Sequence, residues 1–183
     1  YGKVEDNKVK LYILTKDANG KVSTRSPNII KNNLVEYLVP YRMINDFVEV
    51  NDGKVIDIQI EVDIFIDKTY NSNEVKVNVI NMIKDFMNVD KWQMNQHIYI
   101  SQIVDAIREI PGIINVVDIR FYNMEGGIYS NTVISQATGQ RTNILNTGVR
   151  RTQIEPISNA IFSTPMSMFQ IRQPETDILV RTS

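Results

Sequence analysis

The sequence predicts an α+β domain: a mostly antiparallel sheet with two or three helices on one face, a ferredoxin-like sandwich, plus an extended C-terminal arm. Three observations carry this. From Val55 to Asp67 the chain alternates, with Ile56, Ile58, Ile60, Val62, Ile64 and Ile66 on one side and Asp57, Gln59, Glu61, Asp63 and Asp67 on the other. That is the period of a strand, because a helical period of about 3.6 residues scatters these side chains around a cylinder. Two apolar stripes at helical spacing follow: Val75, Val79, Met82, Ile83 and Phe86, then Ile100, Ile103, Val104, Ile107 and Ile110. At Gly126 the composition changes. Of the 58 residues from there on, 23 are Ser, Thr, Asn or Gln and none is Lys, so residues 1–124 read as the domain and 125–183 as the arm.

Taken in order, Val9 to Thr15 alternates as a strand and runs into Asp17-Ala18-Asn19-Gly20, whose Asn-Gly pair suits a tight turn returning through Val22. Ser26-Pro27 opens a helix with a hydroxyl at the N-cap and proline at the first position, Ile30, Leu34, Tyr37 and Leu38 give its stripe, and Pro40 stops it. Phe47 to Val50 is a short strand, turned by Asn51-Asp52-Gly53 into the long one. Asn71-Ser72-Asn73 caps the second helix, and Pro111-Gly112 ends the third. Ile114 to Tyr122 returns as a strand that should pair with the Val55–Asp67 segment.

The chain has 183 residues, 43% of them hydrophobic and 22% charged, enough for one sizeable core. A net charge of -1 argues against a broad grip on nucleic acid or an anionic membrane, and no apolar run is long enough for a membrane-spanning helix. Without cysteine there are no disulfides or thiolate metal sites, which fits a reducing cytoplasm. Tyr1 stands first with no signal-peptide pattern after it, so a fragment of a larger protein is expected.

Catalytic, cofactor-binding and metal residues are not expected. The row Asp57, Glu61, Asp63 and Asp67 has the residue types of an acid–base pair or a cation site, but on an amphipathic strand it reads as a solvated face. Asp17 and Asn19 resemble the start of a calcium loop that lacks its glycine and has Asn28 where the glutamate belongs. The single His97 has no nucleophile or ligand partner in sequence, and Gly126-Gly127, Gly139 and Gly148 form no phosphate-cradling spacing. The arm's many apolar residues favour docking on another surface. Its candidate contacts are Ile161, Phe162, Met166, Met168, Phe169 and Ile171, with Arg150 and Arg151 as polar anchors whose pairing across subunits fits better than a phosphate grip.

The order of these pieces resembles a known family. A strand with an Asn-Gly turn, the Ser26-Pro27 helix ending near Tyr37 to Arg42, the Val55–Ile66 strand and the Glu74–Met87 helix lead into Ile98 to Ile107. The run from Ser101 to Ile113, Ser-x-Ile-x-x-x-Ile-x-x-Ile-Pro-Gly-Ile, is the most specific part. The arrangement is similar to the C-terminal part of baseplate J-like proteins of contractile phage tails, among them the baseplate wedge proteins of T-even-type phages. It covers residues 8 to 122 and departs from the family at Gln96-His97, where a glycine is expected. The resemblance implies a non-enzymatic structural subunit of the virion, made in the host cytoplasm, that pairs with copies of itself and with other wedge proteins in a ring that rearranges on sheath contraction. Neither nucleic acid, membrane nor small-molecule substrate is expected as a partner. The competing reading is a stand-alone ferredoxin-like ligand-binding or regulatory domain with the tail as a lid, which would need convergent polar groups around an apolar pocket.

Overall fold

A computed structural model describes residues 2–5, 8–41 and 47–182; Tyr1 and Arg42, the latter part of the resemblance, lie outside them. In chain order the elements are β1 (Gly2–Glu5), β2 (Lys8–Ile13), β3 (Thr15–Lys16), β4 (Val22–Ser23), α1 (Asn28–Leu38), β5 (Phe47–Asp52), β6 (Lys54–Ile66), α2 (Ser72–Phe86), β7 (Ile98–Tyr99), α3 (Ile100–Arg108), β8 (Ile113–Glu125), β9 (Arg141–Ile144), β10 (Val149–Gln153), β11 (Ala160–Ile161), β12 (Ser167–Gln170), α4 (Pro174–Asp177) and β13 (Ile178–Thr182).

The long alternating segment is β6, and it is the spine of a curled six-stranded sheet. β8 pairs with it antiparallel, from Asp57 opposite Met124 to Ile66 opposite Ile113, and β10 and then β9 extend the sheet on that side. On its other edge β12 and β13 run parallel to the spine, β12 beside Lys54–Asp57 and β13 beside Ile60–Ile64. Two register shifts between β6 and β8, at Asp63/Ile64 and Phe65/Ile66, add local twist where the pair leaves the core. Ile56, Ile58, Ile60, Val62 and Ile64 are fully buried and face Val75, Val79 and Ile83 of α2 and Ile100, Ile103 and Ile107 of α3 in one core.

The ferredoxin-like sandwich with a separate extended arm is therefore overturned: the fold is a mixed α/β arrangement with four helices, and the C-terminal residues belong to the sheet. β9, β10, β12 and β13 all come from residues after Gly126, and two of them are parallel to the spine. Phe169 on β12 is the clearest anchor, fully buried and edge-on to Trp92 at 6.3 Å, while the Trp92 indole N–H donates to the Phe86 carbonyl at 2.7 Å. The short β12 has no sustained alternation of its own and is held as a strand by the spine beside it.

The N-terminal segment forms a second layer. β1, β2 and β5 make a three-stranded sheet with β2 and β5 parallel, and α1 packs beside β5. β3 and β4 form the hairpin expected of the Asn-Gly turn, with the Asp17 carboxylate accepting from the N–H groups of Asn19 and Lys21. The expected Ser26 N-cap is not made. α1 begins at Asn28 with Pro27 at the cap position, and buried Ser26 instead donates its N–H to Asp52 at 2.8 Å, where Lys31 also pairs at 2.7 Å. At Gly53 the chain passes between layers, and a Cβ there would lie 2.8 Å from the Met94 methyl and 2.9 Å from Leu14 Cγ. Asn71 caps α2 by accepting the Asn73 N–H, as its position predicts.

Two outcomes test this topology. Phe169→Ala should cost about 3–5 kcal/mol in urea unfolding, the cost of emptying a fully buried aromatic site. A chain ending at Tyr122 lacks both parallel partners of the spine and should show no cooperative unfolding transition by circular dichroism; a sharp transition would mean that the C-terminal strands are dispensable.

Candidate functional site

The acidic side of the spine is not a solvated face. Alternation places Asp57, Gln59 and Glu61 opposite the helices, as expected, but the residues after Gly126 roof over them, leaving Asp57 0%, Gln59 6% and Glu61 2% exposed. A buried carboxylate needs donors, since desolvation penalises its charged form by several kcal/mol or more. The roof supplies them.

At the first end, Asp57 accepts from the Ser130 N–H at 2.6 Å and from the Gln170 side-chain amide at 2.9 Å, while Ser130 Oγ donates to the Val55 carbonyl at 2.6 Å. The Gln170 carbonyl oxygen accepts from the Val22 N–H at 3.0 Å, so β12 joins the spine to the β3–β4 hairpin. Burial pushes the Asp57 carboxyl above its ordinary range, against the pull of these hydrogen bonds and of the Arg172 charge. Nearby Asp177, also buried, accepts from the Tyr129 hydroxyl at 2.7 Å and from the Gln173 N–H at 2.8 Å. Its carboxyl is raised by burial and further by the charge of Asp57. Burial and the Asp177 hydrogen bond hold the Tyr129 hydroxyl protonated far above its usual range. Consecutive residues Tyr129 and Ser130 thus bind two buried acids and pin the roof to the sheet.

At the other end Glu61 gathers cations. Arg151 Nη1 lies 3.0 Å from one of its oxygens and 3.0 Å from Gln59 Oε1, with the guanidinium 4.7 Å above the Tyr122 ring that it crosses. The Tyr122 hydroxyl donates to the other Glu61 oxygen at 3.2 Å, and Arg120 and Arg181 stand at 3.8 and 3.7 Å. Arg120 also pairs with Asp63 at 2.6 Å. Asp63 Oδ1 and Arg120 Nε have no hydrogen-bond partner among the described residues, at the place where the roof ends. With donors converging from four strands, these acids act as cross-links between the sheet and its cover.

The sequence-predicted contact residues sit mostly inside. Ile161, Met168, Phe169 and Ile171 are buried in the chain's own core; Met166, at positive φ, accepts the Lys54 N–H at its carbonyl and gives its own N–H to Asn95. Phe162 is 40% exposed, edge-on to His97 at 5.0 Å. His97 Nδ1 accepts the Ser163 N–H at 3.2 Å, a structural contact. Arg151 is drawn to Glu61, and Arg150 to Glu125 at 2.8 Å, so both form ion pairs within the chain where pairing across subunits was expected. Among the described residues no group of three or more His, Asp or Glu side chains is placed to hold a metal ion. The structure adds an apolar cleft of about 400 Å³ bounded by Ile128, Tyr129, Ile144, Val149, Gln173 and Thr176. No known protein-family model matches the chain, and no curated protein matches its sequence.

Glu61→Lys should be severely destabilising, by about 3–5 kcal/mol, because it buries an unpaired positive charge at a site ringed by the partly buried Arg120 and Arg151 guanidinia; a change in urea midpoint no larger than that of an exposed substitution would show that the roof does not cover this face. The acids also fix a pH dependence. Asp57 and Asp177 have folded-state pKa values raised above the ordinary 3.8, so the folded state holds their protons more tightly. Their stabilising contribution is full below that value and is lost as pH rises through the raised folded pKa. Asp177→Asn should therefore be less harmful at neutral pH than near pH 4, measured by urea unfolding of both proteins at each pH.

Proposed function

We propose that this chain is a non-enzymatic structural subunit that assembles with copies of itself and with other proteins, as a baseplate wedge subunit of a contractile phage tail does. In that role it belongs to the virion, is made in the host cytoplasm, and shifts against its neighbours when the sheath contracts. The resemblance through the Ser101–Ile113 run supports the identity of the assembly. One structural observation carries the assembly reading itself: the N-terminal layer leaves large apolar side chains in water. Ile29 and Tyr37 on α1 are each 66% exposed, and Tyr41 and Phe47 are 74% and 64% exposed. α1 contributes no buried residue at all, and the rings of Tyr37 and Tyr41 lean on each other 5.7 Å apart.

A helix normally hides its apolar stripe against its own domain. Here Leu34 and Leu38 are only half-buried, and Ile29 and Tyr37 face outward, on a chain whose core lies elsewhere. Covering one such side chain is worth about 1.5–3 kcal/mol, and clustered exposed apolar residues mark interaction surfaces. The buried acids of the sheet, each engaged by internal donors, have a structural task that fits the same reading.

Light scattering after size exclusion, from micromolar to millimolar protein, tests it. The wild-type chain should show mass rising with concentration, and Ile29→Ser with Tyr37→Ser should reduce that rise while shifting the unfolding midpoint by no more than about 0.5 kcal/mol per substitution, as for exposed positions. A wild-type chain that stays monomeric throughout, or a double variant that associates as strongly, would remove the support that α1 gives.

A further inference from the structure

Among the described residues, the far edge of the six-stranded sheet has no further strand on it. β9 pairs there only with β10, all four of its residues are exposed, and the register with β10 shows no bulge. Native edge strands are usually protected by shortness, charged side chains, proline, a bulge or a covering element. Arg141-Thr142-Asn143-Ile144 is short but has no proline, lysine or register shift within it, and its one charge, Arg141, is turned onto Glu125. The Gln153 N–H donates to the Gln140 carbonyl at 3.0 Å, and antiparallel alternation from there turns the N–H and C=O groups of Arg141 and Asn143 away from β10.

Two further features beside this edge specify an occupant. Arg141 and Arg150 both bind the same Glu125 carboxylate, itself only 5% exposed, and two guanidinia on one carboxylate leave one positive charge over. On the opposite face of the hairpin, Ile144 and Val149 open into the apolar cleft of about 400 Å³. A second copy of this chain would bring the same positive excess to the same edge. An acidic strand would complement it.

We propose that β9 is a strand-addition site for an extended segment of a second protein carrying one carboxylate and one large apolar side chain. Successive side chains of a strand point to opposite faces, so the acid and the apolar residue stand at an odd spacing, the acid toward Arg141 and Arg150 and the apolar group toward the Ile144 cleft. The proposal rests on the assembly reading only for where the segment comes from, because it concerns a surface separate from α1.

The probe is a pair of fluorescein-labelled ten-residue peptides of alternating Thr and Val with a central Leu next to either Glu or Lys, titrated by fluorescence anisotropy. The Glu peptide should bind at least about tenfold more tightly than the Lys peptide, the factor expected of a charge-assisted contact. It should slow amide exchange at Arg141 and Asn143. Arg141→Gln removes the excess charge and should abolish the preference between the peptides. Asn143→Pro removes an outward N–H while sparing the β10 ladder and should abolish binding, with circular dichroism checking the fold; if it unfolds, Arg141→Gln and the exchange data decide. Absence of Glu-peptide binding to the wild type, equal affinity for both peptides, or undiminished binding to folded Asn143→Pro would overturn the proposal. So would wild-type self-association that Asn143→Pro abolishes, which would make a second copy the occupant. Loss of concentration-dependent mass in the Ile29→Ser, Tyr37→Ser variant with peptide binding intact would show the two surfaces to be independent.

Discussion

A long strand buried on both faces, one of them acidic, is the constraint from which the rest of the architecture follows. Ile56 to Ile64 need an apolar cover, which α2 and α3 provide. Asp57, Gln59 and Glu61 need something different, because a carboxylate withdrawn from water is stable only with donors or cations around it. The residues after Gly126 provide that second cover. Their abundance of Ser, Thr, Asn and Gln, and their use of arginine without lysine, suit the task. A planar guanidinium reaches two acceptors at once, as Arg151 does with Gln59 and Glu61.

The C-terminal strands that close this arrangement are short and parallel to the spine. The free edge of β6 is closed along its length by two strands in line. β12 closes the first half and β13 the second, and between them the chain leaves the sheet for α4, where Asp177 receives the Tyr129 hydroxyl. Pro174 at the start of α4 marks that excursion. Each short strand draws its stability from the spine, while the spine's acids draw theirs from the loops that the strands hold in place. The two faces of β6 are in this way energetically coupled through the C-terminal third.

The alternation of β6, the stripes of α2 and α3, the Asn-Gly hairpin and the Asn71 cap were legible in the sequence because each rests on neighbours a few residues away. The covering of the acidic face was not. Period two assigns Asp57 and Glu61 to a side, but it says nothing of what lies across from them, and their partners are Ser130, Gln170 and Arg151, between 73 and 113 positions along the chain. The one available signal was chemical: an acidic row in the spine, and a lysine-free tail rich in donors. Reading that tail as an arm kept the two halves of one polar layer apart and made Ile161, Met168 and Phe169 look like surface contacts when they are core. Ser26 failed as a cap for a similar reason, since its hydroxyl accepts from Thr15 Oγ1 at 3.3 Å and its N–H is held by Asp52, twenty-six residues on.

Turning the C-terminal residues inward removes Ile161, Met168 and Phe169 from the residues open to outward contact. With Phe169, Met168 and Ile171 committed to the core, the apolar side chains still in water include Ile29, Tyr37, Tyr41 and Phe47 of the N-terminal layer, where neither β2, α1 nor β5 has a fully buried residue among those described. Such a layer cannot draw its stability from its own core. It is held to the main sheet by the close passage at Gly53 and by the β3–β4 hairpin, whose Val22 N–H donates to Gln170 on β12, while the Ser26–Asp52–Lys31 contacts tie α1 to β5 within the layer. The buried polar layer ties the C-terminal strands to the spine, and the weakly cored layer at its margin depends on that body for support.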